Sequence, residues 1–141
     1  MDLETVKGMY DEGYDCAQAV IHIMADKAGY DGPTLMRAVS CLGMGLLEGS
    51  VCGAVLAAYI VIGLEHGNEG PDWASKGMAL IKKEQFMMEF RKKYGSLDCP
   101  GLMGLDVRKD EDNIEAFRSG RYYNFCPVLC LDVVEILEKV L

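Results

Sequence analysis

The chain has 141 residues, half of them apolar, and a formal net charge of −8. A domain of this length buries roughly two thirds of the surface that its unfolded chain exposes, so residues 1–141 are expected to form one domain with its own core. Nucleic acids and anionic membranes bind basic protein faces, and the excess of acidic residues argues against both as partners.

Helical spacing of apolar residues recurs along the chain, whereas alternating strand patterns and hairpin turns are scarce. A short first helix ends at Gly13, and a second helix opens at Asp15 or Cys16. Gly29 closes this second helix, and Gly32-Pro33 starts a third. These boundaries follow the usual preference for polar caps before a helix and for glycine after it.

The most apolar segment runs from Val51 to Leu64, a stretch of fourteen residues. A membrane span needs about 20 such residues, and apolar runs of about 10–14 are usually buried core helices. The sequence therefore predicts a central apolar helix at about residues 51–65 and no membrane insertion. The longest helix follows it, with Asp72 as the N-cap and Tyr94 near its end.

Two cysteine–proline pairs mark the predicted starts of later helices, because proline favours the first helical position. Cys99-Pro100 opens a short helix, and Cys126-Pro127 opens a helix that runs to Leu141. Residues 106–113 form a charged surface segment between them. Together the patterns predict an all-α fold, a compact multi-helix single domain built around the central apolar helix.

The N-terminus has no basic segment followed by an apolar one, so no secretory signal is expected and the protein is expected to be cytoplasmic. Six cysteines in a reducing compartment indicate free thiols, metal ligands or catalytic dithiols rather than a disulfide framework. The identity of a redox partner or small-molecule substrate and the oligomeric state stay open.

Four of the six cysteines lie at predicted helix starts: Cys16, Cys52, Cys99 and Cys126. Unpaired backbone N–H groups and the positive end of the helix dipole favour thiolate over thiol at such positions. Core packing has no preference for the first turn of a helix, so this placement favours a chemical role. Cys41 and Cys130 have apolar neighbours and are expected to pack.

Convergence of the four sulfurs would bring like charges together. Two thiolates about 4 Å apart repel by about 4 kcal/mol at an effective dielectric near 20, and each 1.36 kcal/mol shifts a pKa by about one unit. A converged set is therefore expected as protonated thiols, as disulfides, or neutralised by a cation such as an iron–sulfur cluster or zinc. Cys130 shares a helical face with Cys126 and is a further candidate metal ligand.

Small residues lie close to these cysteines. Gly53 and Ala54 follow Cys52 directly, and a small residue there lets another backbone or a bulky prosthetic group approach the helix start. With Gly43 and Gly45 they are the candidate cofactor-binding residues. The alternative interpretation is tight helix packing.

Several segments together resemble a known family. They are Gly13-Tyr14-Asp15-Cys16-Ala17-Gln18-Ala19-Val20, Gly43-Met44-Gly45, Cys52-Gly53-Ala54, Gly95-Ser96-x-x-Cys99 and Cys126-Pro127. The ordered set, which covers nearly the whole chain, resembles the C_GCAxxG_C_C family of redox-active proteins. The resemblance implies that the family's four cysteines fall on Cys16, Cys52, Cys99 and Cys126, with Cys130 as the alternative fourth residue. Ala57 stands where the family has its second motif glycine, which implies a tighter or altered pocket.

Three functions stay open at this point. The first is a thiol-based redox or electron-transfer protein, either an oxidoreductase or an electron carrier, that uses pairs among the four cysteines. The second is an iron–sulfur or other metal-binding protein that uses the same cysteines, with Cys130 as a substitute ligand. The third is a non-catalytic helical interaction domain whose thiols only pack.

Overall fold

The chain folds into eight α-helices with no β-strand, and the structure, a computed structural model, describes residues 1–141. The helices are α1 Leu3–Asp11, α2 Cys16–Ala28, α3 Gly32–Ala38, α4 Gly53–His66, α5 Trp73–Tyr94, α6 Cys99–Met103, α7 Asp110–Arg118 and α8 Arg121–Val140. A five-residue helical turn, Gly45–Gly49, lies between α3 and α4. The expected all-α fold is confirmed. None of the helices is both long enough and apolar enough to cross a lipid bilayer.

Aspartate caps define most of the helix starts. In five helices the capping carboxylate accepts a hydrogen bond from a backbone N–H in the first turn; these caps are Asp2, Asp15, Asp31, Asp72 and Asp98. At α2 the cap is reciprocal, because the Gln18 side chain also accepts a hydrogen bond from the Asp15 backbone N–H. These caps account for the predicted helix starts before Cys16, Trp73 and Cys99.

The helix α4 is the centre of the core, as the apolar run predicted. It packs against α2, α5 and α8, and half of its residues are buried: Gly53, Ala54, Val55, Ala57, Ala58, Val61 and Ile62. Its small side chains allow close packing with α2. A core cluster of 26 buried residues surrounds it, and a second cluster of 4 buried residues joins α6, α7 and α8.

A row of aromatic rings connects the core to one end of the molecule. Phe86 and Phe90 of α5 stack with centroids 5.8 Å apart, and Tyr94 stacks on Phe90 at 4.9 Å. The ring of Phe125, in α8, meets Tyr94 edge-on at 6.1 Å. This row lies along one face of α5 and holds Phe125 in place beside Cys126.

The predicted start of the last helix at Cys126 is wrong. The helix α8 begins at Arg121, after Gly120 with a φ of 74°, and Pro127 lies inside it. Proline in a helix removes one hydrogen bond and is usually unfavourable. Here the buried face continues across the proline from Tyr122 to Leu129, so tertiary packing holds the helix together. Cys126 therefore lies in the second turn of α8, and three of the four candidate cysteines, not four, are at helix starts.

The segment before α4 contains an unusual left-handed turn. Met44, Gly45, Leu46 and Leu47 have φ values of 54°, 62°, 63° and 58°. Side chains other than glycine clash in this conformation at a cost of roughly 1–2 kcal/mol per residue. The turn is closed by a 2.8 Å hydrogen bond from the Ser50 N–H to the Gly45 carbonyl. Such strain is often found near functional sites, and this turn leads directly to Cys52.

We expect Leu47→Gly to stabilise the protein by about 0.5–1 kcal/mol. Glycine would relieve about 1–2 kcal/mol of left-handed strain and cost about 0.5–1 kcal/mol in chain entropy. Leu47 is 66% exposed, so little packing is lost. Urea unfolding measures the change.

Leu80→Gly is the matched control, because Leu80 is exposed in the regular helix α5. Glycine there should destabilise the protein by about 1 kcal/mol. Equal destabilisation by both substitutions would contradict the strain at residue 47.

Candidate functional site

A cavity of about 260 Å³ lies where the starts of α2, α4 and α6 meet α8. Its wall includes four thiols: Cys16, Cys52, Cys99 and Cys126. Five aromatic side chains form a further part of the wall: Tyr10, Tyr14, Phe117, Tyr122 and Phe125. The four cysteines selected from the sequence are thus brought together from four helices onto one surface.

Each thiol is supplied by a different element. Cys16 is the first residue of α2, Cys52 is the N-cap of α4, and Cys99 is the first residue of α6. All three are buried, whereas Cys126 in α8 is half-buried. Cys41 is exposed rather than packed as expected, because it follows α3 in a surface turn.

A short backbone pairing aligns two of the cysteines. The Cys52 N–H donates to the Leu97 carbonyl, and the Cys99 N–H donates to the Ser50 carbonyl, both at 2.8 Å. Val51 and Asp98 face each other across this antiparallel bridge. The entries of α4 and α6 are therefore fixed side by side, so that the two cysteines reach the same cavity.

The sulfur of Cys16 lies against Gly53, the residue that follows Cys52. The neighbouring Cys52 thiol raises the pKa of Cys16, and burial and the charges of Cys52 and Asp15 act in the same direction. The Met44 backbone acts in the opposite direction but is the smaller effect. Two thiols from separate helices therefore meet at the start of α4.

Burial keeps the other thiols protonated as well. It raises the pKa of Cys99 to about 11, and the negative charge of Cys16 and Asp98 adds to the rise. Burial also raises the pKa of Cys126, with further contributions from the charges of Cys16, Cys130 and Cys99. The expected lowering by helix N-termini is thus outweighed by desolvation and mutual repulsion. Among the states that the sequence left open for a converged set, protonated thiols agree with these shifts.

Cys130 lies behind the cavity wall rather than on it. Its fully buried sulfur is 3.5 Å from the Cys16 carbonyl oxygen, to which the thiol donates, and 3.5 Å from the Tyr10 hydroxyl oxygen. Cys126 faces the cavity and donates to the sulfur of Met103 at 3.7 Å. The geometry thus favours Cys126 over Cys130 as the fourth cavity cysteine and gives Cys130 a supporting place under Cys16.

The small residues near Cys52 are in close contact with other parts of the protein. A Cβ atom on Gly53 would lie 2.6 Å from the Leu42 carbonyl oxygen and 2.8 Å from the Cys16 sulfur. A Cβ on Gly43 would lie 2.5 Å from the Asp15 carboxylate, and one on Gly45 would lie 2.4 Å from the Ser50 carbonyl oxygen.

Ala54 is fully buried and outside the cavity wall, to which Gly45 and Gly53 contribute. Tight packing of protein against protein therefore explains the glycines, and a role of these residues toward a cofactor stays a prediction.

The arrangement does not fit a metal site. No group of three or more His, Cys, Asp or Glu side chains is placed so that it could hold a metal ion. The predicted ligands Cys16, Cys52, Cys99, Cys126 and Cys130 do not form a zinc or iron–sulfur ligand set with these side-chain positions. Metal binding stays a prediction without support from the geometry.

The sequence did not predict the aromatic and other apolar side chains that line the cavity beside the cysteines. Several of them lie three or four residues from a candidate cysteine on the same helix: Leu102 and Met103 after Cys99, and Tyr122 and Leu129 around Cys126. Residues at this spacing share a helix face. A search one helical turn to either side of each cysteine would have found these residues. Tyr10 and Phe117 have no such spacing to a candidate cysteine.

Gly53→Ala should destabilise the protein by about 1–3 kcal/mol, because the added carbon overlaps a backbone carbonyl that cannot move away freely. The measurement is the midpoint of urea unfolding. Gly63→Ala in the same helix is the control, since a Cβ there meets nothing within 4 Å. That substitution should stabilise α4 by about 0.5–1 kcal/mol. Unchanged stability of Gly53→Ala would contradict the close approach of α2 and α4.

The Cys99 thiol makes the protein less stable in alkaline solution. Its pKa rises from 9.0 to about 11 on folding, so between these values the unfolded chain releases a proton that the folded protein retains. The free energy of unfolding therefore falls as the pH rises through this range, by up to about 1.4 kcal/mol per pH unit from this group.

Urea unfolding at several pH values measures this slope. Cys99→Ala should make the slope shallower by up to the same amount, whereas Cys41→Ala, at an exposed position, should leave it unchanged. Identical slopes for wild type and Cys99→Ala would show that the Cys99 thiol is not held protonated by the fold.

Comparison with protein-family models gives one match. The model described as "Putative redox-active protein (C_GCAxxG_C_C)" matches residues 14–140. Searches of curated proteins and of solved structures gave no significant match. The matched range includes the whole cavity wall except Tyr10 and Gly13. Because the match covers almost the entire chain, the protein belongs to the C_GCAxxG_C_C family of redox-active proteins.

Proposed function

We propose that this protein is a thiol-based redox protein whose reactive groups are Cys16, Cys52, Cys99 and Cys126. One observation carries the proposal: four cysteines from four helices line a single cavity, and the Cys16 sulfur lies against Gly53, the residue after Cys52. The family description, a redox-active protein, agrees with it at a coarser level.

Cys16 and Cys52 are the proposed first pair. Oxidation of two thiols breaks two S–H bonds, forms one S–S bond and releases two electrons and two protons to an acceptor. The Cys16 sulfur already lies against the start of the helix that carries Cys52. The helix starts that carry them are held in place by the Asp15 cap and the Gly53 contact, which limits the rearrangement that disulfide formation requires.

Cys99 and Cys126 are the proposed second pair or relay. Both line the same cavity as Cys16, and the charge of Cys16 contributes to the raised pKa of both. A thiol beside a newly formed disulfide can exchange with it and pass the oxidation on. Four thiols on one wall thereby provide two oxidation steps.

The packing alternative has less support from the geometry. Cysteines that only fill a core are enclosed by neighbours on all sides. These four border the cavity instead, whereas Cys130 is enclosed and shows what a packed cysteine looks like in this fold.

Mild oxidation of the fully reduced protein with diamide should remove two thiols in a first fast phase. Titration of thiols after denaturation counts them against the starting six, and mass spectrometry should show the loss of two hydrogens without an adduct. Cys16→Ser and Cys52→Ser should each abolish the fast phase, because each removes one sulfur of the proposed pair. Cys41→Ser is the matched control and should keep it.

Two results would overturn the proposal. One is a thiol count that diamide leaves at six with a soluble, folded protein. The other is stoichiometric iron or zinc in protein purified without oxygen, which would favour the metal-binding hypothesis instead. Elemental analysis and the visible absorption spectrum of the anaerobic protein decide this second point.

A further inference from the structure

The cavity wall carries no positively charged side chain. Its 17 residues include no Lys, Arg or His, and Asp15 is its one ionisable carboxylate. Arg121 lies nearby but outside the wall, where its guanidinium donates to the carbonyls of Leu102 and Met103. An anionic substrate would lose its hydration without gaining a counter-charge, and Asp15 would repel it. The cavity therefore selects a neutral molecule.

The size and walls of the cavity suit a small ring compound. Its volume of about 260 Å³ exceeds the roughly 150 Å³ of an apolar protein cavity that binds benzene. Of the 17 lining residues 13 are hydrophobic, and aromatic rings pack well against one another in offset or edge-on geometry. Phe117 is 63% exposed and Tyr14 is 39% exposed, so the cavity wall reaches the protein surface at these two side chains.

The chemistry of the thiols restricts further which class of ligand the cavity can use. Oxidation of the proposed Cys16–Cys52 pair to a disulfide releases two electrons and two protons, so the ligand has to be a neutral ring compound that accepts both. A quinone takes up two protons together with two electrons. A pair of protonated thiols therefore supplies everything that its reduction consumes.

We propose that the cavity binds a neutral quinone of one or two rings and that this quinone oxidises the Cys16–Cys52 pair. The inference rests on the function proposed above. In the step, the two S–H bonds break and one S–S bond forms. The two electrons and two protons go to the quinone, whose two carbonyl groups become hydroxyl groups of the hydroquinone.

The test uses the full-length reduced protein without oxygen and tetramethyl-1,4-benzoquinone as the probe. The ring of this quinone carries no hydrogen that a thiol could replace, so stable thioether adducts do not confuse the result. We expect one hydroquinone, measured by absorbance, for every two thiols lost. The protein mass should fall by two hydrogens.

Phe117→Ala tests whether the reaction takes place in the cavity. Phe117 is largely exposed, so its removal spares the fold, and loss of one aromatic wall should slow quinone reduction about fivefold at low quinone concentration. Ile114→Ala, in the same helix and 55% exposed but outside the wall, should stay within about twofold of wild type. Equal rates for both variants would overturn binding in the cavity.

Diamide separates failure of this inference from failure of the proposed function. Oxidation by diamide without reduction of the quinone would overturn the quinone class and leave thiol redox chemistry in place. Failure of both oxidants to remove thiols would overturn the proposed function and this inference with it.

Discussion

The structure depends on the close approach of three chain segments at one end of the core. Leu42 and Gly43 lie against the start of α4 at Gly53, and Gly43 also lies against the Asp15 side chain at the start of α2. No side chain larger than hydrogen fits at residues 43 and 53 without displacing these neighbours. This close packing of the three segments places the Cys16 sulfur against α4 and beside Cys52. The left-handed turn that begins at Met44 then returns the chain from this contact to the entry of α4.

The same helix starts exert two opposing electrostatic effects on the thiols. Helix dipoles favour negative charge at an N-terminus, but here aspartate caps already occupy that position before Cys16 and Cys99. Asp15 and Asp98 each add to the raised pKa of the cysteine that follows. The carboxylates thereby stabilise the helices and at the same time oppose thiolate formation. Burial and repulsion from neighbouring sulfurs act in the same direction, so the Cys16 and Cys99 thiols stay uncharged at their helix starts.

Much of the fold could be predicted from the sequence, because its signals are local. Aspartate caps, terminal glycines and apolar spacing marked the starts of α2, α5 and α6 and the central position of α4. The start of α8 was misplaced, since a proline after a polar-looking segment resembles a helix opening. Only burial of residues on both sides of Pro127, a tertiary property, keeps that helix continuous.

The candidate site was predictable in its cysteines but not in its surroundings. Placement at predicted helix starts and the family resemblance indicated four sulfurs, and cysteine content alone could not show that Cys130 lies behind the wall and Cys126 on it. The bridge between Val51 and Asp98 involves too few residues to leave a strand pattern. The aromatic wall depends on how α1, α7 and α8 dock, which no local pattern encodes.

Pro127 also affects how α8 can respond when a neighbouring sulfur becomes bonded. Proline has no backbone N–H, so the Tyr123 carbonyl, one turn earlier in α8, lacks its usual hydrogen-bond donor. This missing hydrogen bond lies next to Cys126. A helix bends most readily where one of its backbone hydrogen bonds is missing. Cys126, the one cavity cysteine inside a helix rather than at its start, thus lies beside the missing hydrogen bond of that helix. We expect α8 to absorb small displacements of Cys126 at this point.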